Sequence, residues 1–466
     1  MASGVVQVSV LGTTYVPLLR PPPPHLEQIP LSFFDAWYLP LPPIQRLFLY
    51  DGDVDDQHAS FRALRSSLAD AIAVFFPLAG KLTYLPATGD VVIDCSPSAV
   101  GAGVTFLEAE ATIGSGGDDA RRRLSGEARH DVPAFLGLVP SLEASQLPAP
   151  VLAVQVTRLV GGGGGLAVGV AIHHAVADGH SFWRFMSAWS AAARGAVALP
   201  AGALAPTFDR SAIVHPMATE MARGLLRKLT PELPLIPTAN LLRRTWLQHE
   251  TRTLELDRHQ IEHLKSHIAA DDELLTTQTT ARPRRPSTFV AVSALVWWSA
   301  VQARSMDPGA ATRLLFHGDC RRRLDPPVSD GYFGNCIRGY VAEATAGDLD
   351  GGGGVVGAAR AIRKAVDEFV ARPLDEIDAW FDRADALWRE PGLVAMVASP
   401  RFLPYSTDLG WGAPSRVEYV SESAPEGMVV VTGGRTDGSV QVSACLRPVH
   451  MQAFTSLILD FVASCV

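Results

Sequence analysis

The chain has 466 residues, of which 47% are hydrophobic, 19% charged and 8% aromatic. This composition can bury the cores of two or three domains and is incompatible with wholesale disorder. Its 40 Lys and Arg against 48 Asp and Glu give a formal net charge of −8, which argues against the broad positive footprint of a duplex-binding protein but leaves room for a local basic patch facing a small anion.

Strands and helices alternate along the chain without a repeat period. Residues 5–11 read as a strand, and the prolines at 21–24 as a loop or polyproline segment. Phe61, Leu64, Leu68, Ile72 and Phe75 recur in steps of three and four, the mark of an amphipathic helix, and Pro77 stops it. Short strands follow at 91–93 and 104–107. Two apolar runs, 151–160 and 166–172, flank five glycines and read as a hairpin. The next helix has Phe182, Phe185, Met186 and Trp189 on one face. Residues 193–247 are poor in regular pattern and rich in proline, as expected of a crossover between domains. Asp257 is placed to cap a helix from Arg258, and Ser287 to cap one containing Phe289, Val292, Val296 and Trp297. The run 287–303 is uncharged but shorter than a membrane span, so it is expected to be a core helix. Gly352, Gly354 and Gly357 match G-x-G-x-x-G, but no strand leads into them, which argues for an ordinary loop. Asp437-Gly438 between 429–432 and 440–444 signals another hairpin. A last helix buries Phe454, Leu457, Ile458 and Phe461.

The five cysteines, Cys95, Cys320, Cys336, Cys445 and Cys465, are odd in number and lack C-x-x-C spacing, so neither a disulfide framework nor a zinc site is expected, and a reducing compartment is. The opening MASGVVQVSV has no basic stretch followed by a long apolar run, so a soluble cytoplasmic protein is expected. There is no G-x-S-x-G elbow and no P-loop. His259, His263 and His267 share a helix face, but a metal would need a further ligand and a solvated face accounts for them. Cys336 has no apparent basic partner nearby to make it a nucleophile.

The sharpest local feature is Ile172-His173-His174-Ala175-Val176-Ala177-Asp178-Gly179, where an apolar strand delivers two histidines into a turn before an amphipathic helix. The same H-x-x-x-D spacing recurs at His267 and Asp271 on a polar helix. A neutral imidazole is suited to take a proton from a hydroxyl or amine near neutral pH. The motif alone fits equally a satisfied core histidine with Asp178 capping the helix. A second feature, Tyr405-Ser406-Thr407-Asp408-Leu409-Gly410-Trp411-Gly412, brackets a tryptophan between glycines and by itself reads as a turn with a packed ring.

Together, HHAVADG and DLGWG resemble the HxxxDG and DFGWG signatures of the plant BAHD acyltransferases. Residues 30–37 (PLSFFDAW), 76–82 (FPLAGKL), 319–321 (DCR) with 324–327 (LDPP), and 332–336 (YFGNC) resemble further blocks of the family in the right order. The last two resemble the branch that acylates glycosides of flavonoids and other phenolics, often from malonyl-CoA.

The resemblance implies an α/β fold of two similar-sized mixed-sheet domains of the CoA-dependent acyltransferase type, with a solvent channel between them and His174 at its centre. Residues 1–195 would form the first domain, joined by crossover strands at about 416–447. Residues 196–247 would be the linker, and 248–415 with a C-terminal helix 448–466 the second domain. By resemblance, His174 is the general base and the Trp411 indole donates to the oxyanion. Asp178, followed by Gly179, braces the site through Arg321, and Asp408, Gly410 and Gly412 shape their loop. Arg282, Arg284 and Arg285, before the helix N-terminus at Ser287, are candidates for CoA phosphates; His180 and Thr407 are candidates for the acyl-CoA. No metal and no permanently bound cofactor are expected. The implied partners are an acyl-CoA, malonyl-CoA favoured, and a phenolic glycoside, with no nucleic acid or membrane, the protein acting as a monomer.

Two departures bear on this. Leu409 replaces the usual Phe, conservatively. His180 stands where many relatives carry Lys or Arg, which weakens the case for a donor carboxylate and admits an aromatic acyl group. Alternatives are hydroxycinnamoyl transfer to an amine or a non-sugar alcohol, against which the 332–336 block argues, and a non-catalytic ligand binder. A dihydrolipoyl-type acyltransferase would need a lipoyl-carrying partner and a trimer, and the sequence shows no lipoyl-domain or Ala/Pro-rich-linker pattern.

Overall fold

The structure, a computed structural model, describes residues 6–52, 57–112, 124, 129–161, 164–199, 202–237, 248–275, 285–351 and 353–465. In chain order the strands are β1 (Gln7–Val16), β2 (Gln28–Pro30), β3 (Ile44–Tyr50), β4 (Lys81–Leu85), β5 (Asp90–Asp94), β6 (Val104–Thr112), β7 (Ala149–Pro150), β8 (Leu152–Val160) and β9 (Leu166–Ile172), followed by β10 (Glu250–Leu256), β11 (Ala311–Asp319), β12 (Ile337–Thr345), β13 (Leu393–Val397), β14 (Arg416–Val420), β15 (Met428–Gly433) and β16 (Val440–Leu446). Among the described residues they build three sheets, ordered β1-β6-β8-β9-β3-β14, β2-β5-β4-β7 and β10-β16-β15-β13-β11-β12.

The chain divides into two units, interleaved in sequence: Met1–Arg243, Arg321–Ile337 and Pro404–Glu422 form one, and Arg244–Cys320, Arg338–Leu403 and Ser423–Val466 the other. The expected boundaries are corrected in three places. Within the described part of 196–247, residues 202–237 are not a bare linker, because the helix Ala218–Leu229 packs against the helix Phe33–Trp37, and Arg223 grips Asp90 with two hydrogen bonds of 2.8 and 3.0 Å. The segment Arg321–Ile337 returns to the first unit, drawn there by buried carboxylates described below. Of the strands at 416–447 only β14 joins the first unit, antiparallel to β3; β15 and β16 stay together as a hairpin across Gly438 and pair with β13 and β10 in the second sheet.

In the first unit β8 and β9 are the inner strands. Nearly every residue of both is buried, which is why they read as continuous apolar runs without alternation. Gly169 is required here: a Cβ would lie 2.4 Å from the Leu138 carbonyl oxygen, where the chain leaving the helix Val132–Gly137 crosses the sheet. The helices Gln57–Val74 and Gly179–Ala193 pack on each other, with Trp189 Nε1 donating to Ser67 Oγ at 3.1 Å.

In the second unit the helix Thr288–Arg304 is buried along most of its length among Phe316, Val355, Val429 and Phe454. It is a core helix, and among the described residues no helix is long and apolar enough to cross a membrane. Gly352 lies outside the described residues, while Gly354 and Gly357 lie not in the expected loop but in the first turn of the helix Gly354–Ala371; among the described residues no strand leads into it.

Candidate active site

β9 sets the position of the two histidines. Its last residue, Ile172, is paired with Ile44 of β3 on one side and Leu152 of β8 on the other. The next backbone N–H, of His173, donates to the Val151 carbonyl at 2.8 Å, and the Val176 N–H closes a turn onto the His173 carbonyl at 3.0 Å. The His173 ring is fully buried and its Nδ1 accepts from the Ala175 N–H at 3.2 Å. Burial, reinforced by the adjacent His174, pushes its pKa down to about 3, so it is neutral and structural.

His174 is only half-buried. Its ring stacks on Tyr38 with centroids 4.1 Å apart and planes 8° from parallel, and its backbone carbonyl accepts from Asn335 Nδ2 at 2.9 Å.

Asp178 caps the helix Gly179–Ala193, its Oδ1 accepting from the Ser181 N–H at 2.9 Å. Its Oδ2 accepts from the Cys336 N–H at 3.1 Å and lies 2.8 Å from Arg321 Nη2, both side chains being wholly inaccessible. Burial pushes this carboxyl's pKa upward, but Arg321, then the Ser181 N–H, His180 and the Cys336 N–H, overcome it and hold the group below the usual carboxylate range. Arg321 also donates to the Gly334 carbonyl at 2.9 Å and the Tyr332 carbonyl at 3.3 Å.

A second buried carboxylate, Asp35, forms a capping box with Ser32 at the start of the helix Phe33–Trp37. It accepts from Arg210 Nε at 3.0 Å, from the Asn335 N–H at 2.8 Å and from Asn335 Nδ2 at 3.0 Å, while Arg210 Nη1 donates to the Phe333 carbonyl at 2.6 Å. The run Tyr332–Cys336 is therefore threaded between two buried ion pairs, with the N–H groups of Asn335 and Cys336 on different carboxylates. Asn335 connects one pair to His174. Sequence reasoning noted the blocks holding Asp35 and Asn335 without assigning either a role, and did not single out Tyr38 or Arg210. Ser32-x-x-Asp35 was a readable capping signal, but its link to Asn335 spans 300 residues and has no local signature.

The DLGWG loop is built around Asp408, whose Oδ1 accepts from the Gly410 and Gly412 N–H groups at 2.8 and 2.9 Å. Both glycines have positive φ, 105° and 80°, which a side chain would strain. Ser190 Oγ bonds the Asp408 carbonyl and N–H, and Tyr50 OH donates to the Thr407 carbonyl at 2.7 Å. The half-buried Trp411 ring lies 6.0 Å from the Tyr50 ring.

These anchors correct the expectation for Trp411. Tyr50 ends β3 and pairs with Leu166, whereas Ile44 begins it beside Ile172, so the two ends are about 20 Å apart at 3.4 Å per residue. Along the helix, Asp178 and Ser190 are about 18 Å apart at 1.5 Å per residue. Both measures place the DLGWG loop at the opposite end from His174, and the structure does not bring the Trp411 indole to the histidine.

The remaining candidates are engaged elsewhere. His180 Nε2 donates to the Asp330 carbonyl at 3.0 Å, and Thr407 is buried. Arg285 pairs with Glu262 at 2.9 Å and donates to Ser266 Oγ at 3.1 Å, and Ser287 Oγ serves as the cap of its helix by accepting from the Val290 N–H. Arg282 and Arg284 lie outside the described residues. On the helix Arg258–Leu275, His263 bonds the Cys465 carbonyl and His267 lies 3.5 Å from Asp271. Among the described residues no cluster of three potential ligands could hold a metal.

The fold is that of known acyltransferases of two α/β units. Vinorine synthase superposes with a TM-score of 0.70 at 19% identity, covering 97% of this chain and 98% of its own, and the TRI101 protein of F. sporotrichioides, in complex with coenzyme A and T-2, superposes with 0.64 at 16% identity, covering 91% and 96%. A family model described as the Transferase family matches residues 15–458, and the chain belongs to that family, the BAHD acyltransferases. It is an acyltransferase. Phenolic glucoside malonyltransferase 2 of Arabidopsis thaliana is 29% identical over 441 residues, covering 93% of each chain. A hydroxycinnamoyl-CoA:5-hydroxyanthranilate N-hydroxycinnamoyltransferase of Avena sativa is 30% identical over 426 residues, covering 85% of this chain and 87% of its own.

Proposed function

We propose that the protein transfers an acyl group, malonyl foremost, from its CoA thioester to a sugar hydroxyl of a phenolic or flavonoid glycoside, with His174 as the general base. The observation that carries this reading is the contrast within one motif. His173 and Asp178 are sealed from solvent, while His174 is half-buried, with its ring held in a defined orientation against Tyr38. Malonyl transfer to a phenolic glucoside or to an anthocyanidin 5-O-glucoside is the activity named for several similar proteins.

In the reaction the imidazole takes the acceptor's hydroxyl proton as the oxygen bonds to the thioester carbonyl carbon. The tetrahedral intermediate collapses by breaking the C–S bond, and the imidazolium returns the proton to the CoA thiolate. No acyl-enzyme forms. Asp178, committed to Arg321, Ser181 and Cys336, supports the turn and does not relay the proton.

The test is a matrix of malonyl-, acetyl- and hydroxycinnamoyl-CoA against phenolic glucosides, amines and simple alcohols, with products identified by mass spectrometry. Turnover is expected for malonyl-CoA with a glucoside, and His174→Ala should lose about 10²- to 10⁴-fold in kcat with the fold intact. Near-normal turnover in that variant would overturn the mechanism. Products only with hydroxycinnamoyl-CoA and amines would replace the substrate assignment, and CoA-ester binding without any product would make the protein a binder.

A further inference from the structure

We propose that Tyr38 is a positioning residue for the acyl transfer: its ring fixes the His174 imidazole and stabilises it in the protonated state it passes through. This rests on His174 being the base. A histidine ring turns broadly about its outer torsion, so a base that must meet a hydroxyl along one line needs something to hold its plane. Here a nearly parallel aromatic face 4.1 Å away does so.

Tyr38 is itself rigid. It is 6% exposed, and its N–H donates to the Asp35 carbonyl at 3.0 Å, closing the helix that the Ser32–Asp35 capping box opens. The Asp35 carboxylate accepts from Asn335 Nδ2, which also donates to the His174 carbonyl. Ring and backbone of His174 are thus both referenced to one buried residue, Asp35. When the imidazole takes a proton, its positive charge faces the electron-rich side of the Tyr38 ring, an attraction that strengthens as proton transfer proceeds. Attraction arising in the transition state raises kcat without changing substrate binding.

The experiment compares Tyr38→Leu, Tyr38→Phe and Tyr38→Trp in the full-length enzyme, using the donor and acceptor pair that gives turnover in the matrix above. Tyr38→Leu should lose about tenfold in kcat with both KM values unchanged, and the two aromatic variants should recover kcat to within about threefold. A Tyr38→Leu enzyme with wild-type kcat, a loss seen only in KM, or a Tyr38→Phe enzyme as slow as Tyr38→Leu would each overturn the proposal.

A second measurement needs no substrate. In protein carrying ¹³C-labelled histidine, with the His174 signal assigned by its loss in His174→Gln, the stacked ring should shift the imidazole protons upfield. The shift should persist in Tyr38→Phe and vanish in Tyr38→Leu. A His174 signal without that shift in the wild-type protein overturns the stack itself. Full activity of His174→Gln overturns the base assignment, and the inference about Tyr38 as a catalytic support with it, while leaving the stack intact.

Discussion

Two adjacent histidines end the same strand, and their environments give them opposite properties. His173 is sealed and becomes protonated only near pH 3 when folded, whereas in the unfolded chain its pKa is near 6.5. Between those values the unfolded chain binds the extra proton, so folded stability is full above about pH 6.5 and declines as pH falls toward 3, by roughly 1.4 kcal/mol per pH unit. His317, held down to about 4 by burial, adds a second contribution of the same sign. Denaturant unfolding at pH 7, 6 and 5 should therefore show acid destabilisation that is shallower in His173→Gln. An unchanged slope would show that His173 is not the source. Asp178 behaves differently, being ionised and paired. Removing it leaves Arg321 buried without its carboxylate, so Asp178→Ala should cost about 3–5 kcal/mol of stability, and adding Arg321→Leu should recover part of that loss. Equal, additive losses in urea unfolding would refute the coupling.

At the level of elements, the helix Gly179–Ala193 carries a motif at each end: its N-cap is Asp178, and Ser190 near its C-terminus holds the DLGWG loop. The tryptophan of that loop is a packing residue against Tyr50. Trp411→Phe should leave the chemical step intact, whereas loss of an oxyanion donor would cost about 10²- to 10³-fold in kcat. A loss of that size, with normal thermal stability, would restore Trp411 to the catalytic machinery. Much of this level could be read from sequence. The Phe61 to Ile72 periodicity, the β8–β9 hairpin around its glycines and the Ser287 cap are all local signals, and each forms the predicted element. Where a strand goes is a different matter. The hairpin of β15 and β16 was legible, but its sheet depends on pairing with β10 and β13, which no local pattern encodes. The HxxxDG block was equally legible, while the Asp35–Asn335 and Tyr38–His174 contacts join segments more than a hundred residues apart. A cap serine shows the opposite limitation. Ser287 could be read as a ligand group at a helix N-terminus or as the residue satisfying that terminus, and its hydroxyl accepts the Val290 N–H.

At the level of the whole molecule, both units are assembled from separated stretches of one chain. The first unit needs Arg321–Ile337 because Asp178 and Asp35 are otherwise deprived of Arg321 and of the Asn335 and Cys336 N–H groups, and buried charge without compensation is costly. It also needs β14 to complete the edge of β3. A fragment ending at residue 243 should therefore be insoluble or protease-sensitive despite containing the whole HHAVADG motif. Adding a second polypeptide that carries residues 244–466 should restore protection, and a protease-resistant fragment alone would contradict this.

The threading of Tyr332–Cys336 between two ion pairs also governs the order in which the protein can mature during synthesis. A nascent chain displays its histidine motif well before the arginine that neutralises Asp178 leaves the ribosome, and β14 emerges later still. The end of β9 that carries the histidine motif must therefore wait, incomplete, through about a third of translation, and any shortened transcript truncated before residue 337 would yield a chain that bears the family signature without the means to assemble it.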